Sequence, residues 1–199
     1  MKNIVKIIVL GLLISFTSCS DSEVLIDEVY DSVDTETGVV VRTVSPPAEL
    51  VSLTNPDNNN ISLTIEVQEG NGSTVPDFKE VRAYVRLYAD QDLAEPLTTE
   101  NGGEILETLS GVADSSIFEL SPNGLPRGDF SFPTQQIVDG YVAAGAVLED
   151  FPVPTFIALR LEVEMTDGRI YTNTDVSVAV GGGVYFVSPY FYRIIFLPF

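Results

Sequence analysis

From Gly38 onwards, apolar and polar residues alternate with the period of two that puts one face of a strand in a core and the other in water. Gly38 opens Gly-Val-Val-Val-Arg-Thr-Val-Ser, a β-branched run closed by Pro46-Pro47, which predicts a first strand. After the turn-rich Asn55-Pro56-Asp57-Asn58-Asn59-Asn60, strict alternation from Ile61 to Gln68 predicts a second. The third, Val81 to Tyr88, places Val81, Ala83, Val85 and Leu87 inward and Arg82, Tyr84, Arg86 and Tyr88 on the opposite face. Between Asp90 and Asn123 the pattern breaks up, leaving short apolar pieces at Ile105 to Leu109 and Ile117 to Leu120.

Pro122-Asn123-Gly124 is turn chemistry, and Gly128 to Phe132 reads as a short strand. Pro133-Thr134 then starts the one helical candidate, Thr134 to Ala144, with Ile137, Val138 and Tyr141 on one side and Gly140 weakening it. The clearest hairpin follows. Ile157, Leu159, Leu161, Val163 and Met165 alternate with Ala158, Arg160, Glu162 and Glu164, and Asp167-Gly168 turns the chain into Arg169-Ile170-Tyr171-Thr172. Gly181-Gly182-Gly183 interrupts the chain before an aromatic terminal run, Tyr190 to Phe199, whose composition requires a central strand or a covering partner. Seven or eight strands with one helix predict an all-β fold, an immunoglobulin-like antiparallel β-sandwich.

The first 18 residues follow another logic. Lys2 and Lys6 precede an apolar run from Ile7 to Phe16, then small polar residues, the order of an export signal. The run is shorter than the ~20 residues a membrane-spanning helix needs. Phe16-Thr17-Ser18-Cys19 resembles a lipobox, with Phe16 where leucine is usual, and implies cleavage before Cys19 and lipidation of its thiol. Acyl chains add ~0.8 kcal/mol per buried methylene, so two or three anchor stably. A cleaved secretory protein with a chance cysteine is the alternative. The organisation expected is a signal peptide over 1–18, a lipidated cysteine and acidic tether over 19–37, and a sandwich over 38–199. The tether, with Asp21, Glu23, Asp27, Glu28, Asp31, Asp34 and Glu36, resembles the stretch that sends Bacteroidota lipoproteins to the outer face of the outer membrane.

Charge and composition narrow the chemistry. The 199 residues carry 10 basic and 29 acidic side chains; losing Lys2 and Lys6 with the signal leaves eight against 29, a net charge of −21. Nucleic acid is disfavoured as a partner, since Lys79 is the one lysine of the mature chain and its seven arginines are scattered along the sequence. With no histidine and no cysteine besides Cys19, zinc sites of Cys/His type, His-dependent nucleophilic catalysis and disulfides lack their parts.

Four segments carry a resemblance over nearly the whole mature domain: Val41-Arg42-Thr43-Val44; Pro122-Asn123-Gly124-Leu125-Pro126-Arg127; Met165-Thr166-Asp167-Gly168-Arg169; and Gly183-Val184-Tyr185-Phe186 with Ser188-Pro189-Tyr190-Phe191-Tyr192. In this order they resemble the small Bacteroidota surface lipoproteins associated with SusC/SusD-type uptake systems. Gly140 and Gly145 depart from the alanine and leucine of relatives, and Leu197-Pro198-Phe199 is more apolar than usual. The resemblance implies a non-enzymatic outer-membrane accessory to a SusC-like TonB-dependent transporter and a SusD-like lipoprotein. It implies no catalytic residue and no cofactor. Similarity to SusE-type lipoproteins, which bind glycans, extends this to glycan capture.

Glycan sites stack sugar faces on aromatics while polar groups fix the hydroxyls, and the Arg82, Tyr84, Arg86, Tyr88 face offers both elements; ordinary cross-strand packing is the alternative. Tyr171, Tyr185, Tyr190 and Tyr192 are further platform candidates, with core or edge packing as the competing role. Glu162 and Glu164 share a strand face about 7 Å apart, a spacing open to a carboxylate pair but also expected of a solvated face. Asp57 to Asn60 and the pair Asp90 and Asp92 supply oxygen ligands without the spacing of a calcium loop, so no metal site is assigned. A structural or adhesion module is the second functional reading, and a carboxylate-dependent hydrolase the third.

Overall fold

Alternation sorts the side chains before the strands meet. In the strand Val81 to Tyr88, each of Val81, Ala83, Val85 and Leu87 is fully buried, and all five apolar positions from Ile157 to Met165 lie in the same interior. Burying a side chain of this size stabilises the fold by about 1.5–3 kcal/mol, so the chain condenses with these faces together. The computed structural model describes residues 38–55, 59–70, 75–175 and 190–199. The expected export signal, Cys19, the expected tether, Asp57, Asn58 and the stretch 176–189, with Gly181 to Gly183, Tyr185, Ser188 and Pro189, lie outside the described residues.

Two sheets form. The first has the order β1 (Val39–Ser45), β3 (Asn60–Glu69), β7 (Pro126–Pro133), β6 (Glu119–Leu120). The second runs β2 (Leu50–Ser52), β10 (Phe191–Leu197), β8 (Thr155–Met165), β4 (Phe78–Tyr88), β5 (Thr108–Asp114), with β9 (Ile170–Tyr171) also beside β8. This is the strand order of an immunoglobulin-like sandwich: A, B, E and D in one sheet, and G, F and C with an added strand at each edge, β2 and β5, in the other. The fold is all-β with a single α-helix among the described residues.

One pairing departs from the expected all-antiparallel arrangement, because β2 runs parallel to β10. The cause is Pro46-Pro47. Proline lacks the amide that a ladder needs, so the first strand stops, crosses, and resumes in the opposite sheet. There it covers β10, which becomes a central strand between β2 and β8 with Ile194 and Phe196 buried. The terminal run thus meets the requirement its composition imposed.

The broken stretch after Asp90 hides β5. Gly111 pairs with Ala83 and Leu109 with Tyr84, so Ser110 is the extra residue of a bulge, and the period of two is lost in the sequence. The helix α1 (Thr134–Ala143) closes one end of the sandwich, burying Ile137, Val138 and Tyr141. Its Tyr141 hydroxyl accepts the Leu87 N–H at 2.7 Å. Burial pushes that phenol up to about 12, against the opposing effect of this bond. At the hairpin, Gly168 takes the φ of 89° that the turn from β8 to β9 demands.

Gly128 has a different reason. A Cβ there would lie 2.8 Å from the Phe118 ring, which itself meets Phe78 edge-on with centroids 5.0 Å apart. Gly128→Ala is expected to push this ring off its packing and to cost about 1–3 kcal/mol in chemical denaturation. A loss below about 0.5 kcal/mol would show that the aromatic pair is not held against the β7 backbone.

Candidate functional site

Cross-strand register arranges the outer face of the five-strand path in rows. Tyr88, Phe156, Ile195 and Leu50 stand side by side on β4, β8, β10 and β2. The next row is Arg86, Ala158 and Arg193, and the one after it is Tyr84, Arg160 and Phe191. Beyond them come Arg82 opposite Glu162, then Glu80 opposite Glu164. Leu50, Phe191 and Ile195 remain 37–38% exposed and share this outer face.

The arginines that look scattered in sequence therefore converge in space. Of the eight lysine and arginine side chains among the described residues, Lys79, Arg82, Arg86, Arg160 and Arg193 lie on β4, β8 and β10 of this sheet. Most are bound by glutamates. Arg82 bridges Glu80 at 2.6 Å, Glu162 at 3.1 Å and Glu164, and Lys79 reaches Glu164 at 2.9 Å. Arg160 holds Glu107 at 2.9 Å and Glu162 at 3.3 Å while its guanidinium lies 4.7 Å from the centre of the Tyr84 ring. Arg86 pairs with Glu104 and sits 5.7 Å from the Tyr88 ring centre.

The four residues Arg82, Tyr84, Arg86 and Tyr88 thus share one half-buried face, as their spacing indicates. Their chemistry is unequal: both arginines are engaged by carboxylates and Tyr84 is covered by Arg160, whereas Tyr88 belongs to the apolar row. Glu162 and Glu164 are held by the cations between and beside them, Glu162 in a buried position.

Where the apolar row meets Arg193, the surface sinks into a hollow of about 480 Å³ lined by Glu49, Gln91, Pro154, Phe156, Arg193 and Ile195. Three local features shape it. The Glu49 carbonyl accepts the Ile195 N–H at 2.8 Å, fixing the chain before β2 against β10. Gln91 belongs to a loop gathered by Asp90, whose carboxylate accepts the N–H groups of Asp92, Ala94 and Glu95 at 2.7–3.2 Å. The bond from Glu95 leads the contacts that lower the Asp90 pKa from its ordinary value. The Gln91 carbonyl in turn accepts from Arg193 at 2.9 Å.

No family model matches the chain, and no curated protein or solved structure shows significant similarity to it.

The segments that carried the family resemblance have structural work where they are described. Arg42 and Arg127 close on Glu66 from either side, at 2.7 Å and 2.5 Å, across the outer face of the four-stranded sheet. Burial alone would raise the Glu66 pKa, but the Arg127 hydrogen bond and both positive charges outweigh it and hold the carboxyl below the usual range. The hydroxyls of Tyr190 and Tyr192 cross the sandwich, Tyr190 donating to the Val39 carbonyl at 2.6 Å and Tyr192 sharing a 2.7 Å bond with Thr43. These two tyrosines staple β10 to β1. Tyr171 sits beside Arg169, which donates to its hydroxyl at 2.9 Å; Tyr185 lies outside the described residues.

Phe156, Ile195 and Arg193 escape a strand-by-strand reading. Phe156 precedes the strongest alternation of β8, and Arg193 is masked by the apolar run around it. Treating Phe191, Arg193 and Ile195 as one face of an alternating strand is the signal that finds them. Among the described residues no group of three or more acidic or cysteine side chains is placed to hold a metal, and no helix is long and apolar enough to cross a membrane.

Proposed function

We propose that this chain is a non-enzymatic lipoprotein of the outer-membrane surface, anchored through Cys19 and accessory to a SusC/SusD-like uptake pair whose cargo is a glycan. The observation that carries the reading is the outer face of the five-strand path. A polyanionic chain has gathered five of its eight mature cations and a row of half-exposed aromatic and aliphatic side chains on one rigid surface. Arginine and aromatic residues are the types enriched where proteins recognise partners, and a sheet holds them in fixed register. The lipid anchor would confine this face to the membrane plane beside a transporter, raising the effective concentration of the encounter.

The test is recovery from solubilised outer membranes. The wild-type chain is expected to carry an acylated amino terminus at Cys19 by mass spectrometry and to co-purify with a TonB-dependent transporter. Cys19→Ala is expected to accumulate unprocessed and to recover none. An unacylated mature end starting elsewhere would sink the anchor. Full acylation without any transporter, together with retained cell attachment to surfaces, would favour the adhesion module instead.

A further inference from the structure

Arg193 is the one basic side chain among the described residues with no carboxylate oxygen within 4.0 Å; the other seven all have at least one. What Arg193 has is the Gln91 carbonyl on Nη1, which fixes its guanidinium at the wall of the 480 Å³ hollow and leaves its other donors unassigned. Glu49 lines the same hollow without reaching Arg193, so two opposite charges stand apart around a shared space.

We propose that this hollow binds a neutral pyranose unit of a glycan, with Phe156 as its stacking platform and Arg193, Glu49 and Gln91 as its hydroxyl partners. The inference deepens the functional reading above by naming a subsite and a ligand class. A pyranose has an apolar face of C–H groups and an equatorial rim of hydroxyls, and the hollow offers both complements. Phe156 and Ile195 are adjacent in register and present aromatic and aliphatic surface. A planar guanidinium forks onto neighbouring hydroxyl oxygens, a carboxylate accepts from a hydroxyl pair, and an amide does either. The volume lies within the range of about 300–1,000 Å³ usual for small-molecule sites.

Charge selects the neutral sugar. Arg193 and Glu49 cancel within the hollow, while the mature chain carries a net charge of −21, so a polyuronate approaches against repulsion with no net positive charge to receive it. A neutral glycan meets no such barrier. The Tyr88 ring, next in the row beyond Phe156, extends the platform for a second unit of the same chain.

The full-length lipoprotein in detergent is tested by affinity electrophoresis against soluble starch, galactomannan, arabinoxylan and laminarin, with polygalacturonate as the anionic probe. Retardation by at least one neutral polymer is expected, with Phe156→Ala and Arg193→Gln each weakening it at least tenfold and Glu49→Gln weakening it severalfold. Arg193 is exposed, so Arg193→Gln should melt with the wild type and reports on binding even if Phe156→Ala is less stable. Neutral-polymer binding unchanged in both variants would overturn this site and leave glycan capture to another part of the surface. Retardation by polygalacturonate alone would overturn the ligand class. No retardation by any polymer would overturn both site and glycan cargo, whereas co-purification of a transporter would still support the accessory role.

Discussion

Replacing Tyr190 with alanine is expected to remove about 3–5 kcal/mol of folding stability. The side chain is fully buried immediately before β10, and its backbone carbonyl accepts the Leu161 N–H at 2.6 Å, so the residue is tied to β8 along one direction. Along another, its hydroxyl crosses to the Val39 carbonyl in the opposite sheet. Alanine leaves a cavity of aromatic size and an acceptor stripped of its donor. Tyr190→Phe separates the two effects: it keeps the ring and should cost only about 1–2 kcal/mol, the penalty of one unmet buried hydrogen bond. Burial raises the Tyr190 phenol well above its ordinary value, so the hydroxyl stays protonated and donating throughout the working pH range. Urea denaturation of the two variants decides the matter. A cost below 1 kcal/mol for alanine would mean that β10 is not stapled through this ring.

Removing both arginines around Glu66, as Arg42→Ala with Arg127→Ala, is the second large effect. Glu66 is fully buried, and without its partners it must either remain charged in a poorly solvated place or take up a proton. Breaking a buried ion pair from one side typically costs 3–5 kcal/mol. The arginines are 52% and 35% exposed, which discounts the figure to about 2–4 kcal/mol at neutral pH. The pH dependence carries a sign. In the wild type the Glu66 pKa is lowered on folding, so its stabilisation is present above the unfolded carboxylate value and fades as pH falls through the lower folded one. In the double variant burial is opposed only by the Ser121 hydroxyl and raises the folded pKa relative to the wild type, so the penalty is greatest at neutral pH and shrinks on acidification. The gap in melting temperature between the two proteins is therefore expected to narrow from pH 7 toward pH 4. A gap independent of pH would show that the loss comes from side-chain packing rather than from an uncompensated carboxylate.

Both predictions involve residues whose importance could not be ranked from the sequence. Tyr190 and Tyr192 were visible as aromatic side chains able to serve as platforms, yet their hydroxyls point across the sandwich to Val39 and Thr43, 151 and 149 residues away. Arg42 and Arg127 stand in separate segments of the sequence; they share Glu66, 24 and 61 residues from them. Alternation alone indicates the outward quartet on β4, but the same pattern does not say that Glu80, Glu104, Glu107, Glu162 and Glu164 occupy its arginines and Arg160 of β8.

By itself the sequence determined the longer strands β1, β3, β4, β7 and β8 with their inner faces, the hairpin at Asp167-Gly168 and the buried side of α1. Each of these depends on neighbours within a few residues, where alternation, turn chemistry and helical period act directly. Tertiary structure decided the rest: the crossing of the first strand between sheets at Pro46-Pro47, the bulge that conceals β5, and the hollow where Glu49, Phe156 and Arg193 meet. Those features depend on register between distant segments, which is set by the packing of whole faces and leaves no local trace in the order of residues.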